Sequence, residues 1–182
     1  MQNQKRITLK NLKVADFASE ETLCFTATVL FDGKPIAHAS NDGHGGATFL
    51  HSMPDTRKLL QEAEVFAKSL PAHVTDHPDP ADHSRKMIID ITLEYLVDCL
   101  SAQMHYDKKL KTLFNRKMRS KVLFCRAEEI YSLNKLKPAD IKNKAEFFAS
   151  LRKKEGADII ILHELAPDEA FALWKQYGVQ EV

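Results

Sequence analysis

The chain has 182 residues, 44% of them hydrophobic, a net charge of +1 and three cysteines. That apolar content is enough for a real core and excludes a disordered chain, while the near-neutral balance gives no global attraction to nucleic acid. Cys24, Cys99 and Cys125 are odd in number and far apart, so they read as free thiols in a cytoplasmic protein. No run of 18 apolar residues is present and the first 14 residues lack an apolar leader core, so no membrane partner is expected.

Arg6 to Val14 reads as a strand whose parity changes near Lys10-Asn11, the mark of a bulge. Thr22 to Phe31 is the clearest strand, with Leu23, Phe25, Ala27, Val29 and Phe31 on one face. Asp32-Gly33 suits a two-residue hairpin turn. That turn pairs Phe31 with Lys34, Val29 with Ile36 and Ala27 with His38, which places His38 on the apolar face.

The return strand runs into Asn41-Asp42-Gly43-His44-Gly45-Gly46, which holds three of the six glycines. Such a stretch turns sharply or approaches something closely, and its amides would suit an anion nest. It lacks the P-loop Lys-Ser/Thr pair and the dinucleotide-binding glycine spacing. Asp42 and His44 are the catalytic candidates of this loop. His38 and His51 flank it as possible metal ligands or general bases. A plain strand-end connection is the competing reading.

Pro54 to Leu70 reads as a helix with Leu59, Ala63, Phe66 and Leu70 inward. Residues 71–84, rich in Pro, His and Asp, read as a solvated joint between sub-layers 1–70 and 84–182 of a single domain. Ser84 to about His105 reads as a central buried helix. Its polar strip is Asp90, Glu94, Asp98 and Ser101, ending near His105, within about 80° at 100° per residue. The strip is either solvated, salt-bridged or a weak metal site.

The charge then reverses. Residues 73–104 carry six acids and two bases, and residues 105–126 carry eight bases and one acid. Tyr106 to Arg116 reads as a basic amphipathic helix with Tyr106, Leu110, Leu113 and Phe114 inward. It should end there because Lys117 falls on the inner face. Lys108, Lys109, Lys111, Arg116 and Arg119 are the phosphate-binding candidates; they would otherwise be solvated or pair with Asp90, Glu94 and Asp98.

A hairpin follows, with strands at 121–126 and 129–133 turning near Ala127-Glu128. Then come a helix from Pro138 to Glu155 closed by Gly156, a buried strand from Ala157 to Leu165, and a helix from Pro167 to Gly178. His163 in that strand should find a local partner. The fold class expected is α+β: an N-terminal antiparallel hairpin sheet, a central buried helix and a C-terminal ββαβα segment.

The segments ITLKNLKVADFASEETLCF, FDGKPIAHASNDGHGG and ILHELAPDEAFALW resemble a group of uncharacterised small proteins of bacteria, their phages and plasmids. The resemblance implies a cytoplasmic accessory protein, associated with a mobile element, that acts by binding a host or phage macromolecule, either protein or nucleic acid. No established activity or catalytic residue comes with the resemblance, and the sequence leaves the cofactor open. The alternative from the residues is a small metal-dependent hydrolase built on Asp42 and His44.

Overall fold

A computed structural model describes residues 4–179. The protein is mixed α+β, and its chain divides into two compact units, Met1–His105 and Tyr106–Val182. The division therefore falls inside a long helix and not in the 71–84 segment.

In the first unit four antiparallel strands run in chain order: β1 (Ile7–Val14), β2 (Phe25–Phe31), β3 (Lys34–Asn41) and β4 (Phe49–Ser52). The β1 register shifts between Lys10 and Lys13, and Asn11 there has φ 54°, as the parity change in the sequence requires. Asp32 and Gly33 both have positive φ (48° and 79°), which lets the tight turn follow the strand twist. Phe31 pairs with Lys34 as expected.

Beyond that pair the register differs from the sequence reading. Leu30 pairs with Pro35 and Val29 with Ala37, so Ile36 is the extra residue of a bulge. Proline has no N–H to give the ladder, and a bulge is where a sheet accommodates it. The one-residue slip changes the face of every side chain after it. His38 consequently pairs with Thr28 and lies exposed, while Ala37 and Ala39 are buried.

Helix α1 (Arg57–Lys68) sets Ala63 and Ala67, both fully buried, against β2 and β3. Small side chains there let the helix backbone approach the sheet. The helix starts three residues after Pro54, since Asp55 adopts φ 60° and Thr56 is the N-cap. The Arg6 guanidinium pairs with Asp32 (2.6 Å) and lies over the rings of Phe31 and Phe66.

Residues 71–84 are more than a joint. His73–Pro78 forms β5 and pairs with β6 (Lys86–Ile89), through His73 with Ile89 and Val74 with Ile88. The β-branched run that looked helical is thus a strand with alternating exposure. Helix α2 begins only at Leu93, where the Thr92 hydroxyl accepts the Tyr95 N–H (3.1 Å). Asp90 is left outside the helix and exposed.

Helix α2 runs from Leu93 to Ser120 without a break at Arg116. In the second unit Lys117 is accommodated on the inner face because its stem passes Trp174, with Nζ 5.4 Å from the ring centroid. Leu110 and Phe114 are buried there, but Tyr106 is 41% exposed and does not belong to that face.

The C-terminal order is ββαβα: β7 (Val122–Arg126), β8 (Glu129–Leu133), α3 (Lys144–Glu155), β9 (Ile160–Ile161) and α4 (Pro167–Gly178). The sheet order is β8-β7-β9. Asn143 caps α3 by accepting the Glu146 N–H (3.2 Å) and donating to its carboxylate (3.1 Å). This cap starts the helix at Lys144, six residues later than Pro138, which opens a separate 3-10 turn. The expected strand at 157–165 shrinks to two residues, because Leu162–Glu164 coils into a 3-10 turn. His163 finds its partner far away in sequence, the Met118 carbonyl at 3.0 Å from Nε2.

Candidate functional site

The glycine loop is organised by Asn41, which is 5% exposed. Its Oδ1 accepts the Thr22 hydroxyl (2.8 Å) and the Gly43 N–H (2.9 Å). Its Nδ2 donates to the Gly46 carbonyl (3.0 Å) and to the Thr48 hydroxyl (3.1 Å). The four bonds use both ends of the amide, as a buried asparagine requires. Gly43 and Gly45 have positive φ (91° and 87°); Gly46 does not.

The anion nest expected of this loop is filled from within. The Gly43 amide is held by Asn41, the His44 amide by the Asp42 carboxylate (3.3 Å) and the Gly45 amide by the Thr22 hydroxyl (3.3 Å). The loop instead presents an acceptor: the Gly43 carbonyl takes the N–H groups of Glu20, Glu21 and Thr22 at 3.0–3.2 Å. Its role here is to tie the β1–β2 connection to the end of β3.

The catalytic candidates do not converge. His44 is exposed and its Nδ1 lies 3.2 Å from Glu20, and Asp42 is exposed. His38 stands opposite His51 in the β3–β4 register, both exposed. Among the described residues, no three His, Cys, Asp or Glu side chains are grouped to hold a metal ion.

The acidic strip is reached by the loop in one place. The Thr48 hydroxyl, which accepts from Asn41, donates a short hydrogen bond to Asp98. Burial pushes the Asp98 carboxyl above its usual range and Glu94 adds to the rise, while the Thr48 bond opposes both. A raised folded value means that the folded chain holds the proton over a wider pH range than the unfolded chain. Asp98's contribution is therefore complete below the ordinary carboxylate pKa and is lost as pH rises through the raised value. Asp98→Asn keeps the acceptor for Thr48 and removes the charge. It should raise Tm at pH 7, with the difference vanishing near pH 3.5. A lower Tm at pH 7 in melting curves would show the carboxylate to be stabilising instead.

In the second unit one basic candidate, Lys111, is engaged by a carboxylate, as is Lys175 outside the candidate set. Lys111 pairs with Asp168 (3.3 Å) and Lys175 with Asp107 (2.5 Å). Lys108, Arg116 and Arg119 are exposed and have no carboxylate partner among the described residues. At 100° per residue they share a band of about 100° with Thr112 and Asn115, and span about 16 Å of helix. Lys109 is also exposed. A shallow recess of about 450 Å³ beside the band is lined by Lys108, Lys111, Asn115 and Lys175, with Asp107 and Phe171. This unit carries sixteen Lys and Arg against eleven Asp and Glu, a net +5, whereas the first unit carries a net −4.

Sequence reasoning missed the structural work of Asn41 and Thr48, and a recess in the first unit lined by His73, Tyr95, Cys99 and Gln103. The four-residue spacing of the last three was the available signal. The cysteines are free, with Cys125 buried and Cys24 and Cys99 partly exposed. No helix among the described residues is long and apolar enough to cross a membrane. Comparison with protein families, with curated proteins and with solved structures finds no match to this chain.

Proposed function

We propose that the protein is a non-enzymatic accessory protein that binds the phosphate backbone of nucleic acid through the basic face of α2. The observation that carries this reading is the set of Lys108, Arg116 and Arg119, without a carboxylate partner among the described residues, on one band of α2 next to a lysine-lined recess. The only acid of the segment 106–120, Asp107, is engaged by Lys175 and does not cancel that band. Such bases hold phosphate oxygens without reading sequence. A setting in the cytoplasm and in a mobile element is part of the same proposal and rests on the likeness of residues 7–46. The dispersed Asp42, His44 and His38 give the metal-dependent hydrolase no comparable support.

Fluorescence anisotropy with a labelled duplex of about 20 base pairs is the test. Arg116→Gln with Arg119→Gln should weaken binding about tenfold at 50 mM salt, because two charge-assisted contacts are removed. Lys153→Gln with Lys154→Gln, exposed bases on α3, should change it less than threefold. Equal effects of the two pairs would mean that only overall charge matters.

A further inference from the structure

We propose that the recess between β5 and the first turns of α2 is a binding site for an uncharged small molecule of aromatic size bearing one hydrogen-bonding group. The recess has a volume of about 540 Å³, within the range of small-molecule sites. Its apolar wall includes Val74, Ile91 and Leu96, the last two buried. Tyr95, Cys99 and Gln103 recur every fourth residue, so α2 stacks them along one strip.

The polar groups of the recess are His73, Tyr95, Cys99 and Gln103, set against its apolar wall. His73 Nδ1 lies 2.5 Å from the Tyr95 hydroxyl, with the rings tilted at 42° and their centroids 6.0 Å apart. Burial raises both Tyr95 and Cys99 above their usual pKa, so phenol and thiol stay protonated at neutral pH. The Gln103 amide and His73 Nε2 have no side-chain partner among the described residues, which leaves donors and an acceptor for a ligand. No Asp, Glu, Lys or Arg lines the recess. A charged ligand would therefore lose hydration without a countercharge, whereas a neutral one gains apolar contact and a hydrogen bond.

The probes are benzamide, benzoate and benzylammonium, added to the full-length protein with methyl groups of Ile and Leu observed by NMR. Benzamide should shift the Ile91 and Leu96 methyls and bind at least tenfold more tightly than either ion. It should also slow iodoacetamide alkylation of Cys99 at least threefold, read peptide by peptide, and leave Cys24 unchanged. Cys99→Trp, which fills the recess, should weaken benzamide at least tenfold. Should that variant not fold, Gln103→Leu on the partly exposed side of α2 should weaken it at least threefold. Equal binding of benzoate, shifts confined to other methyls, no shift at 10 mM, or unchanged affinity in the folded variants would overturn the proposal. So would occlusion of the recess by self-association through the exposed Val74 and Ile88.

Discussion

Gly43→Ala is expected to destabilise the protein by about 3 kcal/mol or more. A Cβ at Gly43 would lie 2.0 Å from the Ala18 carbonyl oxygen and 2.9 Å from Cys24 Cβ. The first obstacle is backbone, in the 3-10 turn Asp16–Ala18, and cannot rotate away. Relieving the clash would move the Gly43 carbonyl from the three amides that it satisfies, and the residue would still be held at φ 91°. The neighbouring glycines provide the scale. At Gly45 the obstacle is the Glu21 carboxylate, the far end of a flexible side chain, so alanine there should cost about 1 kcal/mol, mostly for its φ of 87°. At Gly46 nothing lies within 4 Å and φ is not positive, so the cost should stay within about 0.5 kcal/mol. Urea midpoints of the three variants measure this; equal values would mean that the backbone geometry of Gly43 is not what holds the loop.

The second large effect concerns binding. Reversing Lys108, Arg116 and Arg119 together to glutamate should reduce duplex affinity more than a hundredfold at 50 mM salt. Each substitution removes one phosphate contact and adds a repulsion. The melting temperature should move by only a few degrees, because the three side chains are exposed, with no carboxylate partner among the described residues, and such charges contribute little to stability. Lys111→Glu behaves differently. It would place a carboxylate beside Asp168 and remove the cation that lies 5.7 Å from the Phe171 ring centroid, so it should lower stability as well as affinity. That contrast separates the bases that face solvent from the one used inside the unit.

Much of the fold was legible where a local rule decides the outcome. Asp32-Gly33 dictates a tight turn, the parity change at Lys10-Asn11 dictates a bulge, and Ala127-Glu128 turns the second hairpin with both φ positive. Errors arose where local and longer-range signals compete. Pro35 shifted the β3 register and moved His38 off the apolar face. The run Met87-Ile88-Ile89 has helical as well as strand-like apolar spacing, and the pairing partners at His73 and Val74 decided it. The charge of Lys117 argues for a helix end, whereas its long apolar stem lets the helix continue past Trp174.

The sites were less legible for a related reason. Asn41, Thr48 and Asp98 form one hydrogen-bonded chain, yet 50 residues separate Thr48 from Asp98. No spacing rule links positions that far apart. The glycine cluster drew attention as a candidate ligand loop, but its amides are spent on Asn41, Asp42 and Thr22. Conversely, the basic segment was visible as a charge run, and only the three-dimensional placement of Asp168 separates Lys111 from the open Lys108, Arg116 and Arg119.

Duplex binding through the basic face of α2 should depend steeply on salt. With about three phosphate contacts the slope of log K against log salt should be near −2.7, so affinity should fall about fortyfold between 50 and 200 mM. In the variant with Lys108, Arg116 and Arg119 all changed to glutamine, the slope should approach zero while the melting curve stays unchanged. An equally steep slope in that variant, or no binding by the unaltered protein at 50 mM, would contradict the assignment of this face to nucleic acid.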